Sequence, residues 1–376
     1  MLPRARQLGR GSSIPQCLKA PHKAPNRRFL STKISPQKVI FSGIQPTGVP
    51  HLGNYLGALQ QWVKLQNHAA SDESTKLIYS LVDLHAITIR QDPSQLLQCK
   101  KESLAILLAI GLDPARSIIF HQSDVSAHAE LMWILSCQAS TGYLGRMTQW
   151  KDKTSAEKGG SERLKLGLFS YPVLQAADVL VHQTTHVPVG HDQAQHLEFA
   201  REVAIGFNHV YGAGILTPPE TIISPARRVM SLSKPASKMS KSDQNPKSRI
   251  LLTDSEEAIR AKIKSAVTDS VEGISYDPEN RPGVTNLIDI MFHSLGDKAG
   301  GSPQDLAKDM EGMHLKVLKE RTADAVENLV APVRERYAEV IKNERLLEDV
   351  AHSGAEKARA STLQTMEKVR RAIGFA

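Results

Sequence analysis

The sequence predicts an α/β fold, a parallel sheet covered by helices, followed by an all-helical half. Three observations carry this. Short strand-like and longer helix-like segments alternate between Val39 and Phe120, the pattern of successive βαβ units. Beyond about Ser255 the strand patterns stop and only helical periodicities remain. The chain, at 376 residues, exceeds one ordinary domain and is long enough for each half to bury a core.

In chain order, Val39-Ile40-Phe41 is a short buried strand. It runs into the turn-rich stretch Ser42-Gly43-Ile44-Gln45-Pro46-Thr47-Gly48-Val49-Pro50, then a helix on which Leu52, Leu56, Leu59 and Val63 recur at helical spacing. Residues 77–82 form a second strand. Residues 94–110 form a helix that starts after Asp92-Pro93 and stops at Gly111, the usual punctuation of helix ends. Residues 117–120 form a third strand, which completes two βαβ units. In the second half, residues 256–267, 285–295 and 323–341 read as helices.

Composition bounds the function classes. Apolar residues make up 41% and charged residues 23%, and no apolar run reaches the roughly 18 to 20 residues of a membrane span. Disorder throughout, a collagen and an integral membrane protein are therefore excluded. The three cysteines, Cys17, Cys99 and Cys137, form no CxxC pair, which argues against a disulfide framework or a cysteine-built zinc site and fits a reducing compartment.

The formal charge of +8 is unevenly placed. No Asp or Glu precedes Asp72, while the first thirty residues carry Arg4, Arg6, Arg10, Lys19, Lys23, Arg27 and Arg28. Without those seven, 40 basic residues face 39 acidic ones, a formal charge of +1. Pro3, Pro15, Pro21 and Pro25 prevent a long helix there. The Arg and Ser content without acid matches a mitochondrial targeting segment over residues 1–30, with Arg27-Arg28-Phe29-Leu30-Ser31 as a cleavage region. A disordered basic tail is the plainer alternative. Plastid import fits less well, because such peptides are richer in Ser and Thr.

The first chemical signal is Gln45-Pro46-Thr47-Gly48-Val49-Pro50-His51-Leu52-Gly53-Asn54, where the first strand meets its helix. Glycines let backbone approach phosphates, a helix start favours negative charge, and His51 and Asn54 add neutral donors. Alone, such a stretch is more often only a turn. Its partner is Lys238-Met239-Ser240-Lys241-Ser242, between Pro235 and Asp243-Gln244-Asn245-Pro246, in a polar segment that reads as a mobile loop. Its lysines and serines suit a triphosphate as movable charges and hydroxyl donors. A lone K-x-x-K would be a solvated loop.

Together, in this order and about 190 residues apart, the two motifs resemble the HIGH and KMSKS signatures of class I aminoacyl-tRNA synthetases. Phe41-Ser42-Gly43-Ile44-Gln45-Pro46-Thr47-Gly48, Val82-Asp83-Leu84-His85-Ala86-Ile87-Thr88, Val187-Pro188-Val189-Gly190-His191-Asp192-Gln193 and Lys262-Ile263-Lys264-Ser265-Ala266-Val267-Thr268-Asp269 narrow the resemblance to the tryptophanyl-tRNA synthetase family. It extends from Val39 to the C-terminus. It implies a Rossmann-type catalytic domain at 38–225, a KMSKS loop and linker at 226–250, an all-helical, anticodon- and tRNA-binding domain at 251–350 and a C-terminal helix at 351–376. The expected activity is ATP-dependent activation of L-tryptophan and its transfer to tRNA(Trp), with Mg²⁺ bound alongside ATP. The expected setting is a homodimer in the mitochondrial matrix.

Tyrosyl-tRNA synthetases are the nearest competitor. Tyr171-Pro172-Val173-Leu174-Gln175-Ala176-Ala177-Asp178 fits the Y-x-x-x-Q-x-x-D pattern of the tyrosine enzymes, and a carboxylate at Asp178 accepts an indole N–H or a phenol O–H equally well. The first strand decides between them. Phe41 stands where the tyrosine enzymes place a second phenol-gripping tyrosine, and Gln45 where they usually have Asp. An apolar wall without a hydroxyl favours indole. No editing domain is evident, and the largest side chain needs none, because smaller competitors forfeit contacts.

Carried over position by position, the resemblance implies that Gln45, Pro46, Thr47, Gly53 and Asn54 contact ATP at the turn. Gly190, His191 and Asp192 hold its ribose and adenine side, Val229 lines the adenine site, and Lys238, Met239, Ser240, Lys241 and Ser242 close over the phosphates. Asp178 accepts the indole N–H, with Phe41, His85, Tyr171, Gln175, Val189 and Gln193 around the amino acid. Lys153 approaches the pyrophosphate and joins Lys238 and Lys241 as the catalytic cations. His85 reads equally as a core histidine, Asp178 retains a capping or surface alternative, and Lys151 and Lys153 fit a polar surface loop. Departures from the family pattern are Gln175 in place of the bacterial Met, His191 in place of Glu, Asp243-Gln244 in place of Asp-Pro, and Leu52 and Asn54 within HIGH.

The chemistry needs no general base, because the tryptophan carboxylate is already ionised. It needs alignment and neutralised phosphate oxygens. The helical half and Arg359, Lys368, Arg370 and Arg371 of the last helix are the expected tRNA-facing elements, with a solvated charged face as the alternative. Two other readings stay open: a related tyrosine enzyme or small nucleotidyltransferase, and a catalytically silent RNA-binding or interaction module.

Overall fold

Five strands form one all-parallel sheet in the order β3-β2-β1-β4-β5 in the computed structural model. They are β1 (Lys38–Ile44), β2 (Thr75–Leu81), β3 (Ile118–His121), β4 (His186–Val189) and β5 (Glu220–Ile223). The structure describes residues 37–69, 74–151, 165–190, 193–223, 229–241 and 243–375, and 36–376 make one compact unit. Central strands covered on both faces read as continuous apolar runs. Ile40 and Phe41 of β1 and Leu77, Ile78, Tyr79 and Leu81 of β2 are buried accordingly.

Register explains where the sheet opens. β1 pairs with β2 along its whole length, from Lys38↔Thr75 to Ile44↔Leu81. With β4 it makes only the pairing Ile40↔His186, backed by Thr185 N donating to the Val39 carbonyl at 2.9 Å. The two strands then part at the point where strand order reverses. The carboxyl ends at such a point form the crevice in which α/β proteins bind ligands.

The helix after β1, here α1, runs as Leu52–Asn54, a π-helical turn Tyr55–Leu59 and Gln60–Ala69. A short α2 (Asp83–Ala86) follows β2. Asp92 caps α3 (Pro93–Ala109) by accepting from Gln95 N at 2.9 Å. Leu52, Leu59 and Trp62 of α1 and Leu104 and Ile106 of α3 pack one face of the sheet, with Trp62 stacked on Tyr79 at 4.6 Å. Between β3 and β5 come α4 (Ala127–Ser136), α5 (Thr141–Arg146), α6 (Leu166–Leu180) and α7 (Ala194–Tyr211). Leu131, Val173, Ala177, Phe199 and Phe207 form a second core among them.

Among the described residues no strand follows β5. The helices are α8 (Glu256–Lys264), α9 (Pro282–Leu295), α10 (Pro303–Lys308), α11 (Leu315–Val340) and α12 (Glu344–Ile373). Ile259, Leu287, Ile288, Val326 and Val330 share one hydrophobic core with α1 and α3, and Arg336 Nε donates to the Ala109 carbonyl at 2.6 Å. The two halves therefore meet through packed apolar surface.

The last helix starts earlier than residue 351 and turns back onto the edge strand β3. Gly354 makes that approach possible: a Cβ there would lie 1.8 Å from the Ile119 carbonyl oxygen. This docking changes the reading of its cations. Arg359 Nε donates to the Asp124 carbonyl at 3.0 Å, and the Arg370 guanidinium grips both oxygens of Glu130. Lys368 and Arg371 remain exposed. Arg359 and Arg370 thus hold the helix down, which the charge pattern alone could not distinguish from a tRNA-facing or solvated role.

Candidate active site

The crevice between β1 and β4 holds a cavity of about 380 Å³. One wall is β1, with Phe41, Ser42, Gly43 and Ile44 leading to Gln45, and the facing wall is Val187 and Val189 of β4. Tyr171, Gln175 and Asp178 enter from α6, because spacings of four and three residues put them on one helix face. His85 on α2 and Gln193 just before α7 complete the lining. Phe41, His85, Tyr171, Gln175, Asp178, Val189 and Gln193, scattered over more than 150 positions of sequence, are thus brought to one cavity.

Asp178, only 1% exposed, lies at its base. Its Oδ1 accepts from Gln122 Nε2 at 2.6 Å and His128 Nδ1 at 2.7 Å, and its Oδ2 from His85 Nε2 at 2.8 Å. Burial pushes the carboxyl pKa up, but the hydrogen bonds from His128 and His85 outweigh it and hold the group well below the usual carboxylate range. The group is an ionised acceptor. A carboxylate offers about four acceptor positions, so Oδ2 keeps one for a ligand in the cavity. Burial rules out a surface role for Asp178, and its place near the C-terminal end of α6, with its oxygens taken by Gln122, His128 and His85, rules out a capping one. His85 is satisfied by this carboxylate rather than by backbone.

A polar wall stands higher. Tyr171 Oη donates to Gln149 Oε1 at 2.6 Å and lies 3.2 Å from His196 Nε2, while Gln175 Nε2 donates to Gln193 Oε1 at 3.2 Å. Burial pushes the Tyr171 phenol up to about 12, so it stays a neutral donor. Neutral hydroxyl and amide groups above an apolar slot suit the polar end of an amino acid.

The turn after β1 is built around His51. Its Nδ1 accepts from Asn54 N at 3.2 Å and its own N–H donates to Asn54 Oδ1 at 3.2 Å, a reciprocal cap at the start of α1. Burial first, then Lys241, Lys238 and Arg249, lower the His51 pKa to about 4. The ring is therefore neutral, and with Nδ1 accepting, Nε2 carries the hydrogen. Gly53 allows this: a Cβ there would be 3.0 Å from His51 Nδ1 and 3.4 Å from the Val229 side chain. Val229 is thereby placed at the turn.

The segment of Lys238 to Lys241, which the polar sequence reads as a mobile loop, makes specific contacts with the rest of the molecule. Met239 is 2% exposed and its N–H donates to the Val229 carbonyl at 3.0 Å, while Lys238 bridges to Met230. Lys241 Nζ donates to the Thr47 carbonyl, Thr47 Oγ1 and the Gly48 carbonyl at 3.1, 3.0 and 3.0 Å. Burial lowers its pKa to about 8. The two motifs, distant in sequence, touch. Lys238 stays exposed beside them, Ser240 is half-buried, Gln45 and Thr47 are exposed, and Pro46 is buried.

The family model for tRNA synthetases class I (W and Y) matches residues 35–331. The chain belongs to this family. A mitochondrial tryptophan–tRNA ligase of Schizosaccharomyces pombe is 44% identical to this synthetase over 355 residues, 92% of this chain and 97% of that one. The crystal structure of tryptophanyl-tRNA synthetase from Mycoplasma pneumoniae matches with a TM-score of 0.80 at 31% identity, over 90% of this chain and 98% of that one. The enzyme from Campylobacter jejuni, complexed with ADP and tryptophan, matches with a TM-score of 0.74 at 34% identity, over 89% and 99% of the two chains.

Several expected positions of this synthetase lie outside the described residues: the segment 1–30, Lys153, His191, Asp192 and Ser242. Gly190 is half-buried and accepts from Gln193 N at 3.0 Å, at the cavity's β4 side. Sequence reasoning missed Gln122, His128 and Gln149. Gln122 directly follows β3, and the carboxyl end of a parallel strand was a usable signal for it. His128 and Gln149 carry no such mark.

Proposed function

We propose that this synthetase activates L-tryptophan with ATP to tryptophanyl-adenylate and transfers the amino acid to tRNA(Trp) in mitochondrial translation. The observation that carries this is the base of the cavity. Phe41, apolar and 4% exposed, faces a single ionised acceptor, Asp178, so the pocket pairs one N–H and otherwise offers hydrophobic wall. A tyrosine here would lack a second phenol partner and leave space unfilled, each costing about 1 to 3 kcal/mol.

The residues then divide the work. Asp178 orients the indole, and Tyr171, Gln175 and Gln193 hold the amino end so that the carboxylate points along β1 toward Gln45 and the turn. There the His51 Nε2–H and the start of α1 meet phosphate oxygens without adding a full charge. Lys238 and Lys241 neutralise charge as pyrophosphate leaves, with Lys153 as a third expected cation. His191 and Asp192 with Gly190 hold the nucleoside. Mg²⁺ would enter on the ATP phosphates and share their charge.

The mitochondrial name of the Schizosaccharomyces pombe relative and the acid-free segment 1–30 support import, with the matrix as destination. Residues 251–350 and the exposed Lys368 and Arg371 form the proposed tRNA surface. Homodimerisation is supported by exposed Ile87, Ile89 and Leu166, on segments that meet where Gly167 faces Thr88. No described helix is long and apolar enough to cross a membrane.

The test is amino-acid-dependent exchange of pyrophosphate into ATP by protein lacking the first thirty residues. Exchange with tryptophan and almost none with tyrosine is expected. The reverse preference would overturn the pocket assignment, and no exchange with either would leave a silent binding module.

A further inference from the structure

Behind Asp178 runs a chain of polar side chains, buried at its two histidines and half-buried at its far end, that the amino-acid pocket does not itself need to be filled. His128 Nδ1 donates to Asp178 Oδ1 at 2.7 Å, and on the far side of that ring His128 Nε2 lies 3.3 Å from His182 Nε2. His182 Nδ1 lies 3.1 Å from Ser361 Oγ, which accepts from Lys76 Nζ at 2.8 Å. Exposure is 0% for His128 and 3% for His182. The chain therefore passes from the pocket, beneath the sheet, to the C-terminal helix α12.

The hydrogens along it are set from the Asp178 end. Asp178 can only accept, so His128 Nδ1 carries a hydrogen. Lys76 can only donate, which leaves the Ser361 hydroxyl hydrogen free to point at His182 Nδ1. His182 then carries its hydrogen on Nε2 and gives it to His128 Nε2. Every contact holds one hydrogen, and all run toward Asp178. Burial, with His128 and Lys76 nearby, pushes the His182 pKa far down, consistent with a neutral ring. His182 also stacks on Phe41 at 5.7 Å and 21°, so the same ring backs the apolar wall of the pocket.

We propose that Ser361 and His182 are positioning residues for tryptophan selection, fixing through His128 the orientation of the Asp178 carboxylate that meets the indole N–H. This rests on the reading of Asp178 as that acceptor. Without the Ser361 hydroxyl, His182 Nδ1 loses the donor that helps to hold its ring, and the Nε2–H aimed at His128 is less firmly directed. Without the His182 imidazole, His128 Nε2 loses its donor altogether, and the ring and the carboxylate it holds are freer to turn.

The experiment compares kcat/KM in pyrophosphate exchange for tryptophan and for its analogue with sulfur in place of the indole N–H, using the full chain. In the parent protein tryptophan is preferred, and Asp178→Asn collapses the preference. Ser361→Ala is expected to reduce it about 3- to 10-fold, with the KM for ATP unchanged. His182→Phe reduces it further, and Ser361→Thr, which keeps the hydroxyl, restores it. Unchanged preference in Asp178→Asn would remove the underlying assignment of Asp178 and the proposal with it. Collapse in Asp178→Asn with the parent preference kept in Ser361→Ala and His182→Phe would overturn the proposal alone. So would an equal loss for both substrates, which marks a purely structural role.

Discussion

Lys241 shows how much one side chain can be asked to do. Its ammonium is spent on Thr47 and Gly48, the turn expected to hold ATP, so phosphate binding must trade those oxygens for the nucleotide's. Burial lowers its pKa to about 8, so the free protein loses this charge as pH rises through that value. We predict that kcat/KM for ATP falls above about pH 8, while the alkaline limb of kcat lies higher, because bound phosphates favour the charged amine. Lys241→Ala should lower kcat about 10²- to 10³-fold and abolish that limb. A variant that only raised the KM for tryptophan would refute the transition-state role. At this scale the pocket was largely legible: motif identity located Phe41, Tyr171, Gln175 and Asp178. Gln122 and His128 were invisible, because what marks them is their distance from Asp178, and a sequence carries no distances.

Elements with long periodic patterns were readable, and those defined by contact were not. β1, β2, β3 and α3 were expected within a few residues, since buried strands and a capped helix write themselves in composition. β4 and β5 are four residues each, and Pro188 within β4 obscures the pattern, so their strand character came only from pairing. The loop around Lys241 reads as an open polar segment from its neighbours, and the burial of Met239 among them is what the composition does not carry. The path of α12 was the largest omission. Its docking depends on the missing side chain of Gly354. We predict that Gly354→Ala forces the helix from β3 at a cost of about 1 to 3 kcal/mol, lowers Tm by several degrees and exposes α12 to protease. Unchanged Tm and protease resistance would show that the helix has room to shift.

For the whole molecule, the overall charge of +8 is mostly contributed by residues 1–30, and the remainder is nearly neutral. tRNA binding must then rest on local cations. Aminoacylation of tRNA should weaken steeply with salt through counterion release, whereas tryptophan-dependent pyrophosphate exchange should barely respond. Equal salt sensitivity of the two reactions would argue against a charged tRNA surface. The split between β1 and β4 has a mechanical meaning at this scale. The sheet is two ribbons, β3-β2-β1 and β4-β5, riveted at their amino ends by Ile40, His186, Thr185 and Val39. The phosphate turn rides on one ribbon and the carboxylate helix leads into the other. An amino acid seated in the fork, where the proposed function places it, would be the second rivet, and the substrate itself would stiffen the frame on which it is activated.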